Sequence, residues 1–406
     1  MKIAMITTLM PETHYSRYLI EALCKNDRNK MSLFIYANKE EKIKAFDNIN
    51  IKFNKCWSQN FFYPFQIARH AIKDKVDMVH LQHEINMYGG MLTAILFPFL
   101  VVLLKITGIK VIVTIHAIVP KNEIDINLLE TFSWPKNRIL SIIVGLVLSY
   151  IYAATCSFSD TLIVHSEYLK SVLITDYRAK KDKILVIPHG VPMQNDSTDL
   201  NEINAFWWDK INSNKIILNF GYVVRRKGLE YLIDAFEGVS KKYDDYVLVI
   251  TGGTLKGHEE YVESLKIIIG EKGLSDRIIF TSFVKETELR NLFMMSEFVV
   301  LPALYSISAS GPLAQAISYH KPTIGTNIGV FREEVNDGVN GILCLPRDSK
   351  SLEKAILNLI ENPVLLQKMS ENMKKKAEVR SWHNIAIRTF SVYENLMQSS
   401  MEEVNG

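Results

Sequence analysis

Residues 301–322 read LPALYSISASGPLAQAISYHKP, and the order of residue types in this stretch decides the architecture. The apolar run 298–302 ends a buried strand, and 306–311 is a small-residue loop with no bulky charge. From Pro312 onward Leu313, Ala316 and Ile317 share one helical face. A strand, a small loop and a helix start leave backbone N–H groups without intrahelical partners, a geometry that holds anions. Pro312 in the first turn loses nothing, since that N–H would be an orphan anyway. Gly311 and Ser310 let a phosphate approach the backbone, with serine hydroxyls as further donors. An ordinary turn between strand and helix has the same shape, so the rest of the chain must decide.

Working outward, strand signals recur at 216–221, 246–252, 277–283, 297–302, 322–325 and 341–345, separated by helical patterns such as 229–241 and 286–295. The first half repeats the scheme, with strands at 2–7, 31–36, 76–81, 110–116, 161–165 and 184–188 and helices at 15–24 and 67–75. Short apolar runs bounded by polar helices are what parallel sheets covered on both faces produce. The polar stretch 191–214 separates the two series. The chain therefore divides into an α/β, doubly wound first domain at 1–195, a second at 196–380, and a terminal segment at 381–406. Each doubly wound half binds ligand beyond the carboxyl ends of its strands. Residues 351–397 read as helical, with a break at Asn362-Pro363. The lysine-rich 368–376 is a solvated face, whereas Trp382, Ile385, Ile387, Phe390, Tyr393 and Leu396 form an apolar stripe that must pack on the first domain.

Composition narrows the function. With 48% hydrophobic and 22% charged residues over 406 positions, the chain is a well-buried globular protein of two domains. A net charge of +3 argues against a dedicated nucleic-acid binder. Its four cysteines include no CxxC pair, so neither a zinc site nor a disulfide framework is expected, and a reducing cytoplasmic home is. The N-terminal run reads as a first strand rather than a leader. Stretches 91–104 and 139–154 are apolar but short of the ~20 residues of a membrane span. They read as buried helices, with a peripheral, in-plane membrane contact open for the second, which follows Lys136 and Arg138.

Several polar residues stand where strands end. His80, Gln82, His83 and Glu84 follow one strand; His116, His165 and His189-Gly190 end three others. In a parallel sheet these ends converge on one crevice, where neutral imidazoles suit sugar hydroxyls. Their spacing matches no helical zinc motif, so no metal site is expected. In the second half, residues 221–236 read GYVVRRKGLEYLIDAF: Gly221 makes a tight exit, Arg225, Arg226 and Lys227 supply cations, and Gly228 precedes a helix. No GKS or GKT is present, so this is a phosphate clamp other than a P-loop. TGGT at 251–254 is a second glycine-rich exit.

The series GYVVRRKGLEYLIDAF, VLVITGGT, IIFTSFVKETELRNLF and VVLPALYSISASGPLAQAISYHKPTIGTNIGVFREEVNDGVNGILCLP, closing on SWHNIAIRTFSVYENL, resembles retaining, nucleotide-sugar-dependent glycosyltransferases of family 4. HLQHEINMYGG, VIVTIHAIVP, TLIVHSEYLKSVL and KILVIPHGV extend the likeness into the first half. The resemblance implies the B-type architecture: two Rossmann-like domains facing across a cleft, donor on the second, acceptor on the first, and a last helix crossing back. It implies no cofactor, with a nucleoside diphosphate sugar as co-substrate. Lys227 matches the family's diphosphate lysine and His116 the histidine facing the donor sugar. Gly311, Pro312 and Leu313 match the donor loop. The arginine that usually follows the strand glycine is replaced by Tyr222, leaving Arg225 or Arg226 to compensate. The paired glutamates fall on Ile307 and Gln315. Gln315 can still bond ribose hydroxyls, and Ser306, Ser308 and Ser310 can take over sugar contacts.

The sequence thus assigns His116, Lys227 and Arg225 to catalysis. Arg226, Gly221, Ser308, Ser310, Gly311, Pro312, Leu313, Gln315, His83 and His189 are assigned to substrate binding. The expected activity is metal-independent hexosyl transfer with retention to a glycan, lipid-linked or polysaccharide acceptor, in the cytoplasm or at the inner membrane face. Loss of the glutamates leaves a catalytically silent partner protein as the alternative, and a sugar-nucleotide epimerase as a more distant one. Loop 118–137, with Trp134, is the variable acceptor-side element.

Overall fold

A computed structural model describes residues 1–7, 15–26, 31–41, 51–125, 128–129, 134–194, 207–211 and 214–405. The break between residues 195 and 196, and part of loop 118–137, lie outside the described residues.

Two parallel sheets carry the fold. The first comprises β1 (Lys2–Ile6), β2 (Ser32–Asn38), β3 (Ile51–Trp57), β4 (Met78–His83), β5 (Lys110–Ile115), β6 (Thr161–Val164) and β7 (Ile184–Val186), in the order β3-β2-β1-β4-β5-β6-β7. The second comprises β8 (Lys215–Phe220), β9 (Tyr246–Thr251), β10 (Ile278–Ser282), β11 (Ser296–Leu301), β12 (Thr323–Thr326) and β13 (Gly341–Cys344), in the order β10-β9-β8-β11-β12-β13. The strands β4 and β9 are each buried along their whole length, as helices on both faces require. Strand order reverses between β1 and β4 and between β8 and β11, and these are the points where crevices open. The sequence reading missed β3. Its IKFNKCW alternates apolar residues with lysine and asparagine because it is the half-exposed edge of its sheet.

The terminal helix Trp382–Asn405 crosses back onto the first sheet's lobe, beside the helix Tyr15–Asn26. Ile385, Ala386 and Tyr393 enter that lobe's core, and the Tyr393 hydroxyl lies 2.7 Å from His80 Nδ1. Both crossings between the lobes run side by side: Val191 N–H donates to Arg380 O at 2.9 Å. Glu334 fastens this junction by ion pairs to Arg380 and to Lys376 Nζ, the latter at 3.0 Å.

The lobes also touch across the cleft. Ile118 N–H donates to Ile307 O at 2.7 Å, and Ile307 packs into the core of the first lobe. Beyond it, the Glu333 carboxylate accepts the backbone N–H groups of Glu167 and Tyr168, capping the helix Glu167–Tyr177.

Candidate active site

The carboxyl ends of the two sheets enclose a cleft of about 670 Å³. Its second-lobe wall is built where β8 and β11 part. Gly221 leaves β8 with φ +130°, and Gly252 leaves β9 with φ +145°. A Cβ on Gly252 would lie 2.1 Å from Gly221 O, so only glycine lets these two exits touch. A Cβ on Gly221 would lie 3.0 Å from Pro312 Cγ and 3.9 Å from Lys227 Nζ. The lysine and the start of the helix Gly311–Ser318 therefore flank one point, within reach of a single small anion. The space around the Gly311 Cα is open, while Ser310 Oγ caps the helix by accepting Leu313 N–H at 3.3 Å.

Lys227 has no anionic partner among the described residues. Burial, with Arg226 beside it, pulls its pKa down to about 7. The Arg226 Nε is likewise buried without a partner. Two cations held together without a carboxylate form a seat for an anion that must come from outside.

The first-lobe wall is different. His165 Nδ1–H donates to Ile187 O at 2.9 Å, and its Nε2 lies 3.0 Å from His116 Nδ1. Gln82 bridges onward, its amide 2.8 Å from His116 Nε2 and 3.2 Å from His80 Nε2. Burial holds His165 down to about 3 and His116 well below its ordinary value, so both rings are neutral. Two neutral rings hold two N–H groups. A chain ending on the Ile187 carbonyl and on the Gln82 oxygen would need three. The count closes when the Gln82 NH2 faces His116 and His80 Nε2–H is shared between the Gln82 oxygen and Thr114 Oγ1, the latter at 2.7 Å. His80 Nδ1 then accepts the Tyr393 hydroxyl. Both nitrogens of His116 are thus occupied within the protein.

Most residues expected from the sequence line this cleft: His116, His189, Gly221, Arg226, Lys227, Ser308, Ser310, Gly311, Pro312 and Gln315. Three do not. Arg225 points away, its guanidinium 4.9 Å over the Tyr261 ring, because the turn Arg225–Lys227 sends adjacent side chains in different directions; Arg226 takes the cleft position. His83 is buried behind the wall, stacked 3.9 Å from Phe97, since alternation along β4 turns it away from the crevice. The Leu313 side chain packs into the second-lobe core, on the inward face of its helix. The Ile307 side chain fills a gap between the lobes. Sequence reasoning assigned no site role to Gln82 or to Glu84, the single carboxylate lining the cleft among the described residues, although both were visible as polar strand-end residues. Tyr15, whose ring lies 4.6 Å from His116 and 5.0 Å from Trp382, carried no local signal at all.

Comparison with known proteins matches this division. Residues 17–195 fit the family described as Glycosyltransferase Family 4, and residues 202–378 the family described as Glycosyl transferases group 1. The chain belongs to the group 1, family 4-type glycosyltransferases. An uncharacterized glycosyltransferase of Methanocaldococcus jannaschii is 27% identical over 59% of this chain and 61% of its own length. The chain thus spans about three-fifths of that relative. The O-antigen chain mannosyltransferase C of Escherichia coli is 23% identical over 89% of the chain and 88% of its own length. Among solved structures, HepE of Anabaena in complex with UDP has a TM-score of 0.72 at 15% identity, covering 97% of this chain and 100% of its own. Sucrose-phosphate synthase of Thermosynechococcus elongatus has a TM-score of 0.74 at 16% identity, covering 98% and 99%. In this member of the family the cations Arg226 and Lys227 stand on one wall and the hydrogen-bonded imidazoles on the other.

Proposed function

We propose that this protein transfers a hexose, with retention, from a nucleoside diphosphate sugar to a glycan, lipid-linked or polysaccharide acceptor in the cytoplasm, without a metal. The convergence of Lys227 Nζ and the Gly311 helix start at Gly221 carries this reading. HepE binds UDP and, in another structure, UDP-glucose, which supports a nucleotide-sugar donor here. In this reading the diphosphate sits between Lys227, Arg226 and the open backbone at Gly311. Charge developing on the leaving phosphate oxygen is stabilised there as the bond to the anomeric carbon breaks. The acceptor oxygen attacks from the same face, and its proton passes to that phosphate oxygen, so no protein nucleophile is needed. Glu84 stands in the acceptor half, where a carboxylate orients an attacking hydroxyl. The cationic pair and the helix N-terminus supply the positive field a metal would otherwise provide.

Replacing Lys227 by Ala removes one charge-assisted contact of about 1.5–3 kcal/mol. Calorimetric titration with a panel of nucleoside diphosphates is expected to show binding weakened by roughly ten- to hundredfold. Wild-type affinity in Lys227→Ala would end this reading. A second reading, a catalytically silent partner, is favoured by one observation: Ile307 occupies the position of a family glutamate and is committed to packing. Release of nucleoside diphosphate in the presence of an acceptor separates the two.

A further inference from the structure

Three neighbouring helices of the first lobe leave their outer faces bare. Tyr63–Asp74, Phe97–Ile106 and Arg138–Phe158 pack side by side. Phe61, Phe62 and Phe65 are exposed on and just before the first. Leu92, 76% exposed, precedes the second, which shows Phe99 and Ile106. Ile139, Ile142, Ile143 and Leu146 are exposed on the third, Leu146 by 68%. Phe65 and Phe99 meet edge to face at 5.5 Å, so the patch is continuous from one helix to the next. Soluble monomers rarely show so many large apolar side chains together unless something covers them.

The third helix is, by length and composition, apolar enough to cross a membrane. It does not stand free to do so: Val144, Leu148, Ile151 and Tyr152 bury one stripe in the lobe's core, and the apolar remainder faces outward. Such a helix lies along a surface.

Charge says what the surface is. Segments 61–75, 91–110 and 134–158 contain seven Lys or Arg and one acid, Asp74; one of the seven, Lys105, is paired with Asp160 at 2.6 Å. Asp74 accepts the Tyr36 hydroxyl at 2.7 Å. A second copy of the same face would bring like charges together, which disfavours self-association. An anionic bilayer meets both properties at once, apolar chains for the rings and phosphate headgroups for the basic rim.

The patch also reaches the cleft. Gln59, Glu84 and Asn86 line its mouth, and a Cβ on Gly89 would lie 3.1 Å from Gln59 Cβ, so the segments leading to Phe61 and to Leu92 meet there. We propose that these three helices seat the first lobe on an anionic lipid bilayer, with the acceptor mouth opening toward the lipid. The acceptor is then a sugar-bearing amphiphile drawn from that membrane, a part of the inference that rests on the transferase reading.

Flotation of the full chain with vesicles tests the docking without nucleotide or acceptor. Vesicles containing roughly one-third phosphatidylglycerol are expected to capture the protein at least about tenfold better than phosphatidylcholine alone, with capture weakened by high salt. The double variant Phe99→Glu with Leu146→Glu is expected to stay in solution, with unchanged melting temperature and nucleotide binding. Equal capture of wild type and variant, or no capture of either, overturns the proposal. So does a wild-type dimer in sedimentation that the variant splits into monomers. Loss of nucleotide binding with vesicle capture intact would break the transferase reading and leave the docking face standing.

Discussion

The two walls of the cleft differ in how much of their hydrogen-bonding capacity is already used. On the second lobe, among the described residues, Lys227 has no counter-charge and the Arg226 Nε no acceptor, and the Gly311 backbone stands open. On the first lobe His165, His116, Gln82 and His80 are hydrogen-bonded to one another in a chain that ends on Thr114 and Tyr393. Residues that look equally functional in sequence are thus of two kinds. The first wall to be read as a binding surface is the one with donors left over, and the imidazole wall reads as a rigid template that fixes the position of His116.

The strongest test of the contrast attacks the glycine floor. Gly252→Ala places a Cβ 2.1 Å from the Gly221 carbonyl, at φ +145°. A stability loss of about 3 kcal/mol or more is expected in thermal melts, with nucleotide binding abolished. Next comes pH. Lys227 has its pKa drawn down to about 7, so the free protein loses this charge as pH rises past that value. A bound diphosphate favours the charged form, and binding then takes up a proton. Nucleotide affinity should fall above pH 7 by up to about tenfold per pH unit, visible as proton uptake in calorimetry with buffers of different ionisation heat; pH-independent affinity would remove Lys227 from the seat. A smaller effect belongs to the other wall. His165→Ala strands the Ile187 carbonyl and the His116 N–H, at about 1–3 kcal/mol. Turnover should drop while nucleotide affinity stays within about twofold, and a change confined to affinity would contradict a template role. Smallest is Arg225→Ala, which forfeits about 0.5–1 kcal/mol of stacking on Tyr261. Titration is expected to find nucleotide affinity unchanged.

The parallel sheets, their order of elements and the returning helix were legible because short apolar runs and the Trp382–Leu396 stripe depend on local periodicity. So was the gathering of Gly221, Arg226, Lys227 and Gly311 on one cleft wall, since these residues lie in a few contiguous stretches. What periodicity could not deliver was direction. Adjacent Arg225 and Arg226 diverge by one step of a tight turn, and His83 follows Gln82 onto the opposite face of β4. Tyr15 reaches the site through tertiary packing against His116, His165, His189 and Trp382, all distant from it in sequence. The β3 edge strand was invisible for a related reason, since it needs to bury only part of itself.

One consequence of Ile307 concerns the aperture of the molecule. Opening the lobes requires pulling this side chain out of the apolar core of the first lobe, about 1.5–3 kcal/mol by its size, and parting its carbonyl from Ile118. An apolar tooth engaged in the opposite jaw holds the jaws at one distance. The spacing of the lobes is then set in part by one aliphatic residue, beside the Glu333 contacts to Glu167 and Tyr168, and trimming or enlarging it would reset that spacing.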